Sequence, residues 1–502
     1  MSDERPAPTP LFLAPVFTEP VAPDSTSDEP SAPEPRAADS GTDPALGDAT
    51  VSTRTRTRSR RARSAGEMTA DPAASSSAEP KTPPATVEPA VPTTHHDVIA
   101  DRAGFLAAAE AIAAGHGPIA VDAERASGYR YSQRAYLIQV FRRGAGVFLF
   151  DPPPIGYFTP LQDAIGDEEW ILHAATQDLT CLREVGLEPR ILFDTELGAR
   201  LAGFERVGLG PVVEQLLGIH LAKEHSAADW STRPLPQTWL EYAALDVELL
   251  VDVRDAMRDQ LIADGKLDLA EQEFRDVLQR DLVPVRVEPW RRLTSLHTVR
   301  GGRGLAVARE LWLARDEYAR EIDTAPGRLV PGPSLVAVAR ILPTDKRAMS
   351  AIREFHGRAS RSQIDRWWAA VERGMATDDL PSSRGPSDGT ALPPPRAWAD
   401  RNPEADARLK AARTAMAGVA QQLNLPVENL LTPEHLRRVA WNPPEPITTE
   451  SVTAALAALG ARPWQTDATA QILAASFVEP AQFAPEVVED PSSSAPKDSA
   501  AS

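Results

Sequence analysis

Residues 118–125 read PIAVDAER. A short apolar run entered through a proline, with no helical period, reads as a buried β-strand, here over residues 119–122. Side chains alternate along a strand, so Ala120, Asp122 and Glu124 share one face while Ile119, Val121 and Ala123 share the other. Two carboxylates therefore leave the end of an apolar strand in the same direction, a placement that packing alone does not favour.

Outward from this strand, residues 97–287 alternate short apolar runs with helical periods, the pattern of an α/β domain. Further strands are expected at 136–140, 147–150 and 170–173, and helices at 179–185, 195–201, 210–217 and 239–262. Two of these helices carry acids on their inward stripes. Asp178 lies one turn before Cys181 and Leu182, in line with Val185. Asp246 sits within the stripe Ala243, Leu250, Val253 and Met257, and Tyr242 projects from nearly the same side, four residues earlier.

Burying several carboxylates together is costly, because desolvation and mutual repulsion both disfavour their charged forms. Divalent cations relieve that cost. Oxygen ligands of this kind suit Mg²⁺ or Mn²⁺, and two such ions about 3.5–4 Å apart serve in-line displacement at phosphorus. The expected cofactors are thus two divalent cations held by Asp122, Glu124, Asp178 and Asp246, with Tyr242 positioning the attacking water. An Asp-x-Glu pair alone would be weak in a chain with 71 acidic residues; the ordered set, each member on an inward stripe, carries the reading.

The flanking segments differ in kind. Of the 47 prolines, 16 fall before residue 93, and residues 1–96 lack any amphipathic period, so disorder is expected there and in the tail from 480 to 502. The run TRTRTRSRRARS, with Arg54, Arg56, Arg58, Arg60, Arg61 and Arg63, reads either as a phosphate-touching arm or as an incidental solvated cluster. Residues 290–374 form a helical module, 375–397 a Pro/Gly/Ser linker and 398–479 a second helical domain. The 502-residue chain has a formal charge of −18, yet residues 290–374 hold 16 Lys and Arg against 9 Asp and Glu. The acidic total conceals a basic module whose nucleic-acid affinity should fall with salt. A division of labour is expected, with affinity in the module and chemistry in the α/β domain.

No apolar run approaches a membrane span of about 20 residues. The first residues, MSDERPAPTP, lack a secretory pattern, and one cysteine builds no disulfide framework, so a cytoplasmic protein with no membrane and no obligate protein partner is expected.

The motifs together resemble the ribonuclease D branch of the DEDD 3′–5′ exonucleases, the subgroup whose third motif carries a Tyr. Asp122 and Glu124 in VDAER match its first motif, Asp178 in HAATQDL its second, and Tyr242 with Asp246 in YAALDV its third. YLIQ, FDTELGARL and LAKEHSAADWSTRPLPQTWLEYAALDV agree around them. Residues 305–357, beginning LAVARELWLARDEYARE, resemble the helical HRDC module, and the helices after residue 398 a divergent second copy. The resemblance implies a ribonuclease H-like mixed sheet flanked by helices, followed by one or two small all-α HRDC-like domains. It implies metal-dependent hydrolysis of RNA from the 3′ end to nucleoside 5′-monophosphates, on tRNA precursors or other structured RNA. A DNA exonuclease and an inactive nucleic-acid-binding scaffold are the alternatives. Ala123 and Arg125 stand where the first motif usually has Thr and Phe, which alters a wall that helps seat the terminal nucleotide.

Candidates for substrate contact are Arg125, His173, Gln177, Lys223 and Arg233, with structural pairing as the competing reading for His173, Lys223 and Arg233. Asp194 reads as a helix N-cap in preference to a fifth metal carboxylate. Trp230 and Trp239 read as core before base-stacking residues. Trp367 and Trp368, beside Arg361 and Arg366, form a stacking and phosphate patch in which one Trp is core, and Cys181 reads as inert packing.

Overall fold

The computed structural model describes residues 88–89, 96–221, 227–283, 286–385 and 391–483. Of the segments expected to be disordered, 1–87, 90–95 and 484–502, with the Arg-rich run, lie outside the described residues, as does Lys223; Glu88–Pro89 instead pairs in parallel with Ile219–His220, and Pro480–Phe483 forms a helical turn, so the expectation is corrected there.

The α/β segment builds a six-stranded mixed sheet from β1 (Val98–Ile99), β2 (His116–Arg125), β3 (Ala135–Arg143), β4 (Gly146–Phe150), β5 (Glu169–Leu172) and β6 (Ile191–Asp194). Its order is β1-β4-β3-β2-β5-β6. The hairpins β2/β3 and β3/β4 are antiparallel, whereas β1 joins β4, β5 joins β2 and β6 joins β5 in parallel. A register shift between Glu124 and Arg125 marks an irregularity beside the acidic pair, as is common next to active sites. Helix α1 (Arg102–Ala113), capped by Asp101 on Gly104 N at 2.9 Å, buries Phe105 against Phe150 and Phe158.

Helices α2 (Leu179–Glu184), α3 (Thr195–Leu201) and α4 (Leu209–Leu217) lie within a residue or so of expectation. The single helix expected over 239–262 is instead two, α5 (Gln237–Glu248) and α6 (Leu250–Ala263). Leu249, between them, stays in the right-handed region with φ −86° and ψ −12°, so the turn loosens without reversing. Neither Pro nor Gly marks the break, and apolar spacing does not register it. The inward stripe survives, since Ala243, Asp246, Leu250, Val253 and Met257 are all buried.

The basic module is built on α7 (Gly301–Glu321), α8 (Gly332–Ile341) and α9 (Ile364–Ala376), closed around its own core of Trp290, Leu311, Val338, Phe355 and Trp367. The final helices, α10 (Pro403–Gln422), α11 (Pro433–Trp441), α12 (Thr449–Ala458) and α13 (Pro463–Val478), share one continuous core with the sheet domain.

Candidate active site

Strand β2 and helix α5 meet at one cavity of about 1060 Å³. Asp122, Glu124, Asp178, Tyr242 and Asp246 all line it. Carboxylate oxygens of Asp122, Glu124 and Asp246 lie within 4.8 Å of one another, a set able to hold a cation among the described residues. Asp178 approaches from the turn that begins α2, where the Arg125 Nε is 3.8 Å from its Oδ1. Arg125 thus supplies a positive charge inside an otherwise acidic cluster.

Burial pushes the Asp122 carboxyl up, although the Ala123 backbone and Arg125 oppose the shift. Burial, reinforced by Asp122, Asp246 and Asp178, raises Glu124 to about 10. The same causes, burial first and then Asp122, hold Asp178 and Asp246 well above the usual carboxylate range. The Tyr242 hydroxyl donates to Asp246 and is held protonated by burial and the neighbouring acids. Protein cations do not balance these groups, and an all-oxygen donor set of this charge matches a hard divalent cation.

The approach of Asp178 depends on local backbone geometry. At the end of β5 the chain turns through Ala174, whose φ of 61° lies in the left-handed region that costs a non-glycine residue free energy. Asp194 holds that turn. Its carboxylate accepts from Ala174 N at 3.1 Å and Ala175 N at 2.9 Å while capping α3 through Glu196 N and Leu197 N. Asp194 is therefore an N-cap as expected, and a tether for the turn that carries Asp178 as well.

Of the substrate candidates, Arg125, His173 and Gln177 line the cavity. His173 Nδ1 meets Thr195 Oγ1 at 2.9 Å, and burial lowers its pKa to about 4, so it is neutral at pH 7. Arg233 does not line the cavity. Its five guanidinium N–H groups are all engaged: Nε and Nη2 with Asp151 at 2.7 Å each, Nη2 with Tyr136 O, and Nη1 with Trp230 O and Thr232 O. The phosphate-binding reading of Arg233 is corrected accordingly, because a fully saturated guanidinium has no donor left for a ligand. Trp230 is buried and packs on Trp239 at 5.2 Å; Trp367 is buried, and Trp368 donates to Glu372 at 2.7 Å. Cys181 is buried, and its thiol donates to Asp178 O at 3.1 Å.

Sequence reasoning missed two walls of the cavity, one from residues 206–211 at the start of α4 and one from the β2/β3 connection, and a buried amide beside the cavity. Ser127, Gly128 and Tyr129 form a wall in the β2/β3 connection, where loop composition carries no period. Gln139, in YLIQ, pairs in register with Asp122, is fully buried, and has an amide without a partner among the described residues. A glutamine inside an apolar strand was the available signal.

Fold and site together define a 3′–5′ exonuclease. A family model for the 3′–5′ exonuclease matches residues 98–262, one for the HRDC domain residues 304–371, and one for the 3′ to 5′ exonuclease C-terminal domain residues 391–477. The ribonuclease D of Pseudomonas paraeruginosa is 31% identical over 62% of this chain and 81% of its own length. Curated relatives are matched over between 47% and 81% of their own lengths. The crystal structure of a protein from Bifidobacterium adolescentis superposes with a TM-score of 0.71 at 36% identity, covering 78% of this chain and 99% of that one. The structure of Escherichia coli RNase D, described as an exoribonuclease involved in structured RNA processing, aligns with a TM-score of 0.55 at 27% identity, covering 73% and 98%. The chain belongs to the ribonuclease D family. Among the described residues no helix is long and apolar enough to cross a membrane.

Proposed function

We propose that the protein hydrolyses RNA from its 3′ end to nucleoside 5′-monophosphates, and that tRNA precursors and other structured RNAs are its substrates. The observation that carries this reading is the convergence of Asp122, Glu124 and Asp246 to within 4.8 Å, with Asp178 on the same cavity. These four would hold two divalent cations, Mg²⁺ or Mn²⁺, which when bound supply Lewis-acid charge at the scissile phosphate and acidify water. Tyr242, kept protonated and bonded to Asp246, orients the nucleophilic water. Arg125, His173 and Gln177 face the terminal nucleotide, His173 as a neutral group. The RNA substrate is supported by the relatives' names and by the description of the Escherichia coli structure.

Residues 97–287 are the exonuclease domain in this reading, 290–374 the HRDC domain, 375–397 a linker and 398–479 a further helical domain. The compartment proposed is the cytoplasm, where a free thiol such as that of Cys181 stays reduced.

Side-by-side hydrolysis of RNA and DNA with matched 3′ ends tests the assignment. RNA shortening should exceed DNA shortening, and Asp122→Ala should abolish it while the fold persists. Tyr242→Phe should slow it about a hundredfold. Preferred attack on DNA would reassign the substrate, and metal binding without turnover would mark a scaffold.

A further inference from the structure

The connection between β2 and β3, residues 126–134, has two sides. On one side Ser127, Gly128 and Tyr129 line the catalytic cavity. The other side is held by the HRDC segment. Arg328 Nε donates to Gly128 O at 2.8 Å, and its guanidinium carbon lies 3.9 Å from the centre of the Tyr129 ring. Ala325 N donates to Tyr129 O at 2.9 Å. Asp323 accepts from Ser132 N at 2.8 Å and from the Tyr136 hydroxyl at 3.3 Å. Tyr131 packs against the HRDC core, its hydroxyl 3.2 Å from Asp316 and 3.1 Å from Arg320.

Backbone carbonyls and amides at three of five successive loop residues are thus satisfied by a domain that begins more than 150 residues later in the chain. Beyond its own turn, in which Tyr129 N and Arg130 N donate to Ala126 O, the loop takes its placement from such partners. We infer that the HRDC domain is a structural part of the catalytic cavity, with Asp323 and Arg328 as positioning residues that fix the Gly128 and Tyr129 wall against which the RNA 3′ end is seated. The inference rests on the exonuclease reading of that cavity. It revises the division of labour expected from charge alone, because losing the module then impairs the chemical step as well as RNA affinity.

The test uses the full chain and an RNA trinucleotide, which leaves little of the ligand to gain affinity from the basic residues of the module. Asp323→Ala and Arg328→Ala should each lower kcat about tenfold, since small misplacements at a reacting centre cost one to two powers of ten. KM should change much less. Asp323→Asn, which keeps an acceptor for Ser132 N, and Arg328→Lys, which keeps a donor for Gly128 O, should recover most of the loss. Glu310→Gln is the control: it removes ion pairs with Arg309 and Arg373 inside the module without touching the loop, and should leave kcat unchanged. Wild-type kcat in both Ala variants would overturn the proposal, as would an equal loss in Glu310→Gln. Hydrogen exchange at the Ser132 amide separates this from failure of the exonuclease reading: it should accelerate in Asp323→Ala whether or not RNA is hydrolysed, and unchanged exchange would overturn the proposal by itself.

Discussion

Glu124 concentrates the electrostatics of the site: burial and three neighbouring acids hold its proton to about pH 10, against an ordinary value near 4.5. In the metal-free protein the folded state therefore binds a proton that the unfolded chain releases across that window. Stability must fall as pH rises through it. His173 acts in the opposite sense, because its folded value of about 4 makes stability rise with pH up to about 6.5 and then stop changing. Above pH 6.5 the acids are left to dominate. In EDTA the thermal midpoint of the nuclease domain should drop between about pH 6.5 and 8.5. Mg²⁺ at about a hundred times its dissociation constant should restore about 2.7 kcal/mol, because it binds only the folded site. A midpoint insensitive to both pH and Mg²⁺ would mean that the carboxylates do not form a cation site.

Among the elements, β2 and α5 carry three of the acids to the cavity, and Asp194 governs how Asp178 reaches it. Asp194→Ala removes an N-cap, worth about 1 kcal/mol, and frees two buried N–H groups at Ala174 and Ala175 at about 1–3 kcal/mol. A lower thermal midpoint should accompany reduced hydrolysis. Reduced hydrolysis at an unchanged midpoint would instead make Asp194 a direct participant in the site. The acidic set was legible in the sequence because an acid on an inward stripe contradicts the stripe, whether on β2, in HAATQDL or in YAALDV. The wall of Ser127, Gly128 and Tyr129 was not legible: loop residues have no period to violate, and Gly128 and Tyr129 find partners in Arg328 and Ala325 across the fold. Arg233 misled for a related reason. An exposed-looking arginine before the third motif gives no sign of the Asp151 that pairs with it, 82 positions earlier, or of the three carbonyls that take its remaining donors.

Across the whole molecule, the two helical regions attach to the nuclease differently. The HRDC domain keeps its own core and meets the active-site loop through polar contacts and the packed ring of Tyr131. The C-terminal helices share a core with the sheet domain, locked by Arg462 on Glu273 at 2.6 and 2.7 Å and by Trp464 Nε1 on the same carboxylate at 2.8 Å. Glu273 belongs to the helix Leu267–Gln279 and is only 3% exposed. Glu273→Ala leaves Arg462 paired only with Asp276 at 3.6 Å and takes the acceptor from Trp464 Nε1, and should cost about 3 kcal/mol in denaturant unfolding; a loss under about 1 kcal/mol would show the lock to be dispensable. The chemistry proposed for the cavity is metal-dependent hydrolysis. It is tested most directly by following a 5′-labelled RNA through time with wild-type protein and Asp246→Asn, in Mg²⁺ or Mn²⁺ and in EDTA, with the released products identified. The expected result is stepwise shortening from the 3′ end with nucleoside 5′-monophosphates released, abolished by EDTA, restored by added metal and absent in Asp246→Asn. Undiminished shortening in EDTA or in Asp246→Asn would contradict it.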